Sequence, residues 1–104
     1  MQIGNGIYTY GISDKKLDKI SKKIKKGKII PGLHLVTLPL FDDGILEIYD
    51  YNQLLQPFYK TMDDKIVIVG ISKDRAGAND IVMELVQRMC DAGNGFNVRE
   101  FLGI

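Results

Sequence analysis

The sequence predicts a small α/β (α+β) domain of about four strands and two main helices, in the order β-α-β-β-(α)-β-α. Runs of β-branched or aromatic residues at 7–10 and 65–71 are typical of strands. Apolar residues at helical spacing in 14–26 and 78–91 predict the two helices. We expect a ferredoxin-like sandwich with an extra C-terminal helix, or alternatively a small sheet that is covered on both faces.

Length and composition indicate a single cytoplasmic domain that spans residues 1–104. A balance of 45% apolar and 26% charged residues is ordinary for a globular protein. No apolar run approaches the roughly 20 residues that span a bilayer, and no secretory signal pattern begins the chain. Cys90 is the only cysteine, which excludes an intramolecular disulfide and favours a reducing compartment.

Charge is unevenly distributed along the chain. The segment 13–28 contains eight lysines and two aspartates and therefore carries +6. Because the whole chain carries +1, the remaining residues carry −5. The protein thus has one basic element and an acidic remainder, and the sequence leaves open whether the two face each other.

The first strand and the first helix are predicted from local signals. Glycines flank the strand at 7–10, and Ser13 is well placed to cap the helix that follows. One narrow apolar stripe runs along this helix, and Gly27 is a suitable stop. The stripe consists of Leu17, Ile20 and Ile24.

A hairpin is predicted in the middle of the chain. Apolar runs at 33–41 and 45–51 flank Asp42-Asp43-Gly44, and Asp-Gly is a strong turn signal because both residues tolerate positive φ. Pro39 cannot donate a ladder hydrogen bond, so we expect its strand to lie at an edge or to bulge there.

The second half of the chain contains the most apolar elements. Asn52 can cap a short helical segment that Pro57 interrupts. The strand at 65–71 does not alternate with polar residues, which predicts burial on both faces. The long helix that follows ends at Gly93, and a short tail begins with Asn97 as a possible cap. The apolar face of the long helix comprises Ala78, Ile81, Val82, Leu85, Val86 and Met89, and Val98, Phe101 and Leu102 are the expected docking residues of the tail.

The first candidate site is an anion-binding loop at 70–77, between a buried strand and a helix N-terminus. Its expected ligand-binding residues are Gly70, Ser72, Lys73, Arg75 and Gly77. The alternative is that Ser72 or Asp74 simply caps the helix. Gly-Ile-Ser recurs at 11–13, so two helix N-termini converge if the first and fourth strands are parallel neighbours. In a ferredoxin-like fold these two junctions lie at opposite ends.

The second candidate is the basic face of the first helix, which could contact a phosphate backbone. Its residues are Lys15, Lys16, Lys19, Lys22, Lys23 and Lys26. The alternative is a solvated helix face. Nucleic acid is the weaker interpretation, because the basic segment contains no arginine or aromatic residue for stacking.

The third candidate is an interface in the segment that follows the hairpin. Its apolar residues are Leu54, Leu55, Phe58, Tyr59 and Met62. Exposed, they would mark an association surface. The alternative is that they close one end of the core.

Catalytic and metal chemistry find little support in the sequence. His34 is the only histidine and lies in an apolar strand, where a structural role is expected. Cys90 lies among the apolar positions of the last helix, where we expect it to pack as a small, inert residue. The aspartate pairs lack the spacing of a calcium loop, and no cysteine or histidine cluster suits zinc. We therefore expect no catalytic residue, no metal and no cofactor.

These observations favour a small non-enzymatic accessory or regulatory domain that acts through protein association, with another protein or as a homo-oligomer. The alternative is a phosphate- or nucleotide-binding module that holds a small anionic ligand at 70–77. A second alternative is weak nucleic-acid binding through the lysine-rich helix at 14–28. No feature points to a membrane partner.

Overall fold

The computed structural model describes residues 1–41, 44–93, 95 and 97–103, which form a four-stranded sheet with helices on both faces. The strands are β1 (Gln2–Tyr10), β2 (His34–Thr37), β3 (Glu47–Asp50) and β4 (Val67–Ser72). The helices are α1 (Asp14–Lys25), α2 (Pro57–Lys60), α3 (Arg75–Ala92) and α4 (Val98–Leu102). Short 3-10 turns occupy Tyr51–Leu55 and Asp63–Lys65.

The sheet is mixed, with the strand order β1-β4-β2-β3. β1 runs parallel to β4, whereas β2 runs antiparallel to both β4 and β3. The predicted α/β class with about four strands is confirmed. β1 and β4 are parallel neighbours, so the two Gly-Ile-Ser junctions lie at the same end of the sheet.

Two separate hydrophobic cores cover the two faces of the sheet, as the alternative arrangement requires. The core on the α1 side includes Ile24, Leu33, Leu35, Tyr49, Tyr51, Leu54, Ile66, Ile68 and Ile71. The core on the α3 side includes Val36, Leu38, Val69, Ala78, Ile81, Leu85, Met89 and Val98. Because β4 supplies both cores, it has no polar face, which explains its unbroken apolar sequence.

A bulge in β4 accompanies this two-sided packing. Val69 packs in the α3-side core, and a Cβ on the next residue, Gly70, would lie 2.9 Å from Ile81 Cγ2 on the same side. Two consecutive residues therefore face α3. The pairing with β2 shifts at this point, from Val36 opposite Gly70 to Thr37 opposite Ile68.

Three predicted helix ends agree with the structure, whereas the cap predicted at Asn52 is wrong, because Asp50 Oδ1 caps that 3-10 turn by accepting from Asn52 N at 3.0 Å. Ser13 Oγ accepts a hydrogen bond from Lys16 N at 3.3 Å, and Asn97 Oδ1 accepts one from Glu100 N at 3.1 Å. Gly93 ends α3 with φ at 72°. These caps satisfy amides and carbonyls that the helices cannot bond internally.

The predicted hairpin is present as the β2–β3 pair, with His34 opposite Asp50. The predicted turn residues Asp42 and Asp43 lie outside the described residues. The expectation for Pro39 is wrong, because β2 ends at Thr37 and is an interior strand.

Two other elements differ from their predictions. β1 begins at Gln2, earlier than predicted, and its pairing with β4 shifts in register between Ile3 and Tyr8. Gly4 and Gly6 lie in this part of the strand, and glycine gives no strand signal in the sequence. Pro57 begins α2 instead of breaking a helix, because the first helical position needs no backbone donor.

Among the described residues, none of the helices combines the length and the apolar character that a membrane span requires.

Candidate functional site

An aromatic patch occupies the surface beside β3 and is formed by Phe41, Phe58 and Tyr59. Phe41 and Phe58 are 53% and 63% exposed, yet their rings stack with a centroid distance of 6.1 Å and an interplanar angle of 22°. Tyr59 meets both rings edge-on, at 6.3 Å from Phe41 and 5.1 Å from Phe58. The patch is therefore an ordered group of rings, and two of them face solvent.

Helix α2 positions the patch. Pro57 starts the helix, and Thr61 Oγ1 closes it by donating to the carbonyl of Phe58 at 2.8 Å. Within this single turn Tyr59 points towards the core and contacts the ring of Tyr49 at 5.9 Å. Phe58, one residue earlier, consequently points outwards.

The five residues predicted as an interface divide between the core and the surface. Leu54 is completely buried in the α1-side core, as the alternative interpretation expects. Leu55, Tyr59 and Met62 are partly buried, and Phe58 is exposed. Sequence reasoning missed Phe41, which it placed in a strand. Its position directly before the predicted turn was the available signal.

The lysines of the basic face are all exposed on α1 and on the residues that follow it. None forms an ion pair with a described carboxylate. The ion pairs in the described residues join Met1 to Asp63 and Arg88 to Glu84. The +6 segment is therefore not neutralised by described acidic residues of the same molecule.

A cleft of about 290 Å³, which we call the lysine cleft, lies where the end of α1 meets α2. Its charged lining residues are Lys25, Lys26, Lys60 and Asp63, and Met1, Ile24, Gly27 and Leu55 complete it. The Lys60 ammonium lies 3.4 Å from the position that a Cβ on Gly27 would occupy. The fold thus adds a lysine from a distant segment to the basic end of α1.

The parallel ends of β1 and β4 bring the two strand-to-helix junctions together. Tyr10 lies opposite Ser72, and Lys73 N donates to the carbonyl of Tyr10 at 3.2 Å. α1 and α3 begin at this end of the sheet and cover opposite faces. Two helix N-termini therefore lie at the same end of adjacent parallel strands, which is the edge where open α/β sheets commonly bind ligands.

Capping and packing contacts occupy most of the predicted anion-binding loop. Ser72 is fully buried, and its Oγ donates to the carbonyl of Asp74 at 2.7 Å and accepts from Asp74 N at 3.2 Å. Asp74 Oδ1 accepts from Gly77 N at 2.7 Å. Gly70 and Gly77 are buried against neighbouring side chains, whereas Lys73 and Arg75 are exposed. The contacts made by Ser72 and Asp74 are those of a helix cap.

Comparison with known proteins finds no matching family model, no matching curated protein and no matching solved structure. A function for this chain must therefore be inferred from its sequence and geometry.

The remaining chemistry-bearing side chains are dispersed. His34 Nδ1 lies 2.9 Å from the carbonyl oxygen of Gly32. Cys90 is exposed, which corrects its expected burial, because it lies just off the buried stripe that contains Met89. The described residues contain no group of three histidine, cysteine or acidic side chains that could hold a metal ion.

Tyr51 is the one described side chain whose buried polar atom has no hydrogen-bond partner among the described residues. Burial raises the pKa of Tyr51 above its ordinary value, and the negative charge of Asp63 raises it further. The hydroxyl lies within the α1-side core, not in a cleft, so it is a feature of stability.

Proposed function

We propose that this protein is a non-enzymatic association module whose aromatic patch binds a second copy of the chain. The observation that carries the proposal is the stacked pair of exposed rings, Phe41 and Phe58. Large contiguous apolar patches are uncommon on monomeric proteins and often mark contact surfaces. Aromatic residues are also the side chains that most often dominate binding energy.

Self-association is favoured over an unrelated partner by symmetry and charge. Two copies related by a twofold axis would place the same ring pair on each side, which makes the contact self-complementary. The net charge of +1 gives little repulsion between copies, and the separated basic and acidic segments are complementary. We also propose that the protein is cytoplasmic, because a single cysteine is typical of a reducing compartment.

The exposed area of the patch sets the size of the effect that loss of a ring should have on a dimer. Full burial of a phenylalanine contributes about 1.5–3 kcal/mol, and Phe58 exposes 63% of its surface. Loss of this ring should therefore cost about 1–2 kcal/mol per copy of the chain. A twofold dimer loses the ring from both copies, so the association should weaken by at least about tenfold.

Sedimentation equilibrium over a range of protein concentrations tests the proposal. We expect the wild-type chain to dimerise and Phe58→Ser to weaken the dimer by at least about tenfold. Met83→Ser is the matched control, because Met83 is 70% exposed on α3, away from the patch. A wild-type chain that stays monomeric at every concentration would reject the proposal, as would an equal effect of the two substitutions.

A further inference from the structure

We infer that the lysine cleft is a binding site for a small molecule that carries a phosphate group. The cleft is distinct from the aromatic patch, and the inference does not depend on self-association. Lys25 and Lys26 reach it from the end of α1, and Lys60 reaches it from α2. Three lysines therefore line one concave volume of about 290 Å³, which suits a phosphomonoester or a pyrophosphate group.

The three lysines of the cleft have no acidic partner among the described residues that would explain their position as part of an ion pair. None of the three forms an ion pair with a described carboxylate. Asp63 is the acidic residue in the lining, and its Oδ2 already accepts a hydrogen bond from the amino group of Met1 at 2.7 Å. The lining of the cleft thus carries more positive than negative charge, which favours an anionic ligand.

Stabilisation of helix α1 explains the positions of two of these lysines but not the position of the third. Lys25 and Lys26 lie at the helix C-terminus, where cations interact favourably with the helix dipole. Lys60 belongs to a different element, and its ammonium nevertheless lies beside Gly27. Gly27 has φ at 67°, so glycine is favoured there and no side chain separates Lys60 from the end of α1.

A phosphate group matches this arrangement better than a carboxylate does. A terminal phosphate presents three oxygens and close to two negative charges, so it can accept a hydrogen bond from each lysine. A carboxylate has two oxygens and one charge. Ile24 and Leu55 provide apolar lining for the rest of the ligand. The concave shape favours a small ligand over a flat membrane surface.

Titration of the ¹⁵N-labelled protein with inorganic pyrophosphate at low ionic strength tests the inference. We expect saturable amide shifts at Lys26, Gly27 and Lys60. Lys60→Gln should weaken binding about tenfold, through loss of one charge-assisted hydrogen bond. The matched control is Lys15→Gln, an exposed lysine at the opposite end of α1, which should change the affinity less than about twofold.

Several results would overturn the inference. Equal effects of Lys60→Gln and Lys15→Gln would indicate diffuse attraction to α1, and the absence of saturable shifts would reject the site outright. Shifts confined to 70–77 would instead assign anion binding to the strand-to-helix loop. A single-stranded RNA could instead bind more tightly than pyrophosphate, with an affinity that falls steeply with salt. That result would indicate that the lysines of the cleft contact nucleic acid and not a small phosphate ligand.

Discussion

Substitution of Gly77 by alanine sets two physical effects against each other within one helical turn. Alanine is preferred over glycine in a helix interior by about 1 kcal/mol, so propensity alone predicts a more stable protein. However, a Cβ on Gly77 would collide with Ser72 Oγ and with the ring of Tyr10, whose Cγ lies at 2.8 Å. Tyr10 is partly exposed and can move, whereas Ser72 is fully buried.

The collision should outweigh the gain in propensity. Overpacking costs about 1–3 kcal/mol, and displacement of Ser72 weakens its two hydrogen bonds to Asp74, at about 1 kcal/mol each. After subtraction of the propensity gain, we expect Gly77→Ala to lower the free energy of unfolding by about 2 kcal/mol.

Urea unfolding followed by circular dichroism measures this difference. A loss of about 2 kcal/mol lowers the midpoint by about 1 M and the melting temperature by roughly 8–16 °C. Ala76→Gly, at the adjacent exposed position, measures propensity alone and should cost about 1 kcal/mol or less. A Gly77→Ala variant that is as stable as the wild type, or more stable, would refute this reasoning. It would show that Ser72 and Tyr10 leave room for a side chain at position 77.

Two further predictions concern the core and the helix cap. Tyr51→Phe removes a buried hydroxyl that lacks a described partner, so we expect equal or up to about 1 kcal/mol greater stability in urea unfolding at neutral pH. Because burial, and then Asp63, raises the pKa of Tyr51, wild-type stability should be full below about pH 10 and fall as the pH rises above it; an equal fall in Tyr51→Phe would contradict this assignment. Asp74→Ala removes the 2.7 Å hydrogen bond to Gly77 N and should cost about 1 kcal/mol by the same assay. The longer 3.3 Å cap bond of Ser13 makes Ser13→Ala a comparison that should cost less, and the reverse order would refute the link between cap geometry and stability.

Local features of the fold were predictable because their physical causes lie within a few residues. Ser13 and Asn97 cap helices by bonding an amide three residues onward, and Gly93 ends α3 through its own positive φ. The unbroken apolar run of β4 likewise indicated coverage of both faces. By contrast, Gly4 and Gly6 are poor strand formers, so the first half of β1 left no sequence signal.

The candidate sites depend on contacts between distant segments, which periodicity does not record. Phe41 looked like part of a strand, and nothing near it in the sequence indicates that it stacks on Phe58. Lys60 lies well outside the basic segment, but the fold places its ammonium beside Gly27. Strand order, which brings Tyr10 opposite Ser72, is also a property of the assembled sheet.

The bulge at Val69 and Gly70 determines how the central strand is aligned. Strict alternation after Val69 would send Ile71 to the face that Val69 occupies, but the bulge returns Ile71 to the core that also holds Ile68. A one-residue slip of β4 would therefore place side chains wrongly on both faces at once. Competing alignments lose both cores together, which widens the energy gap between the native pairing and its alternatives. A deletion at this position should consequently be far more damaging than a substitution in the loops that flank the strand.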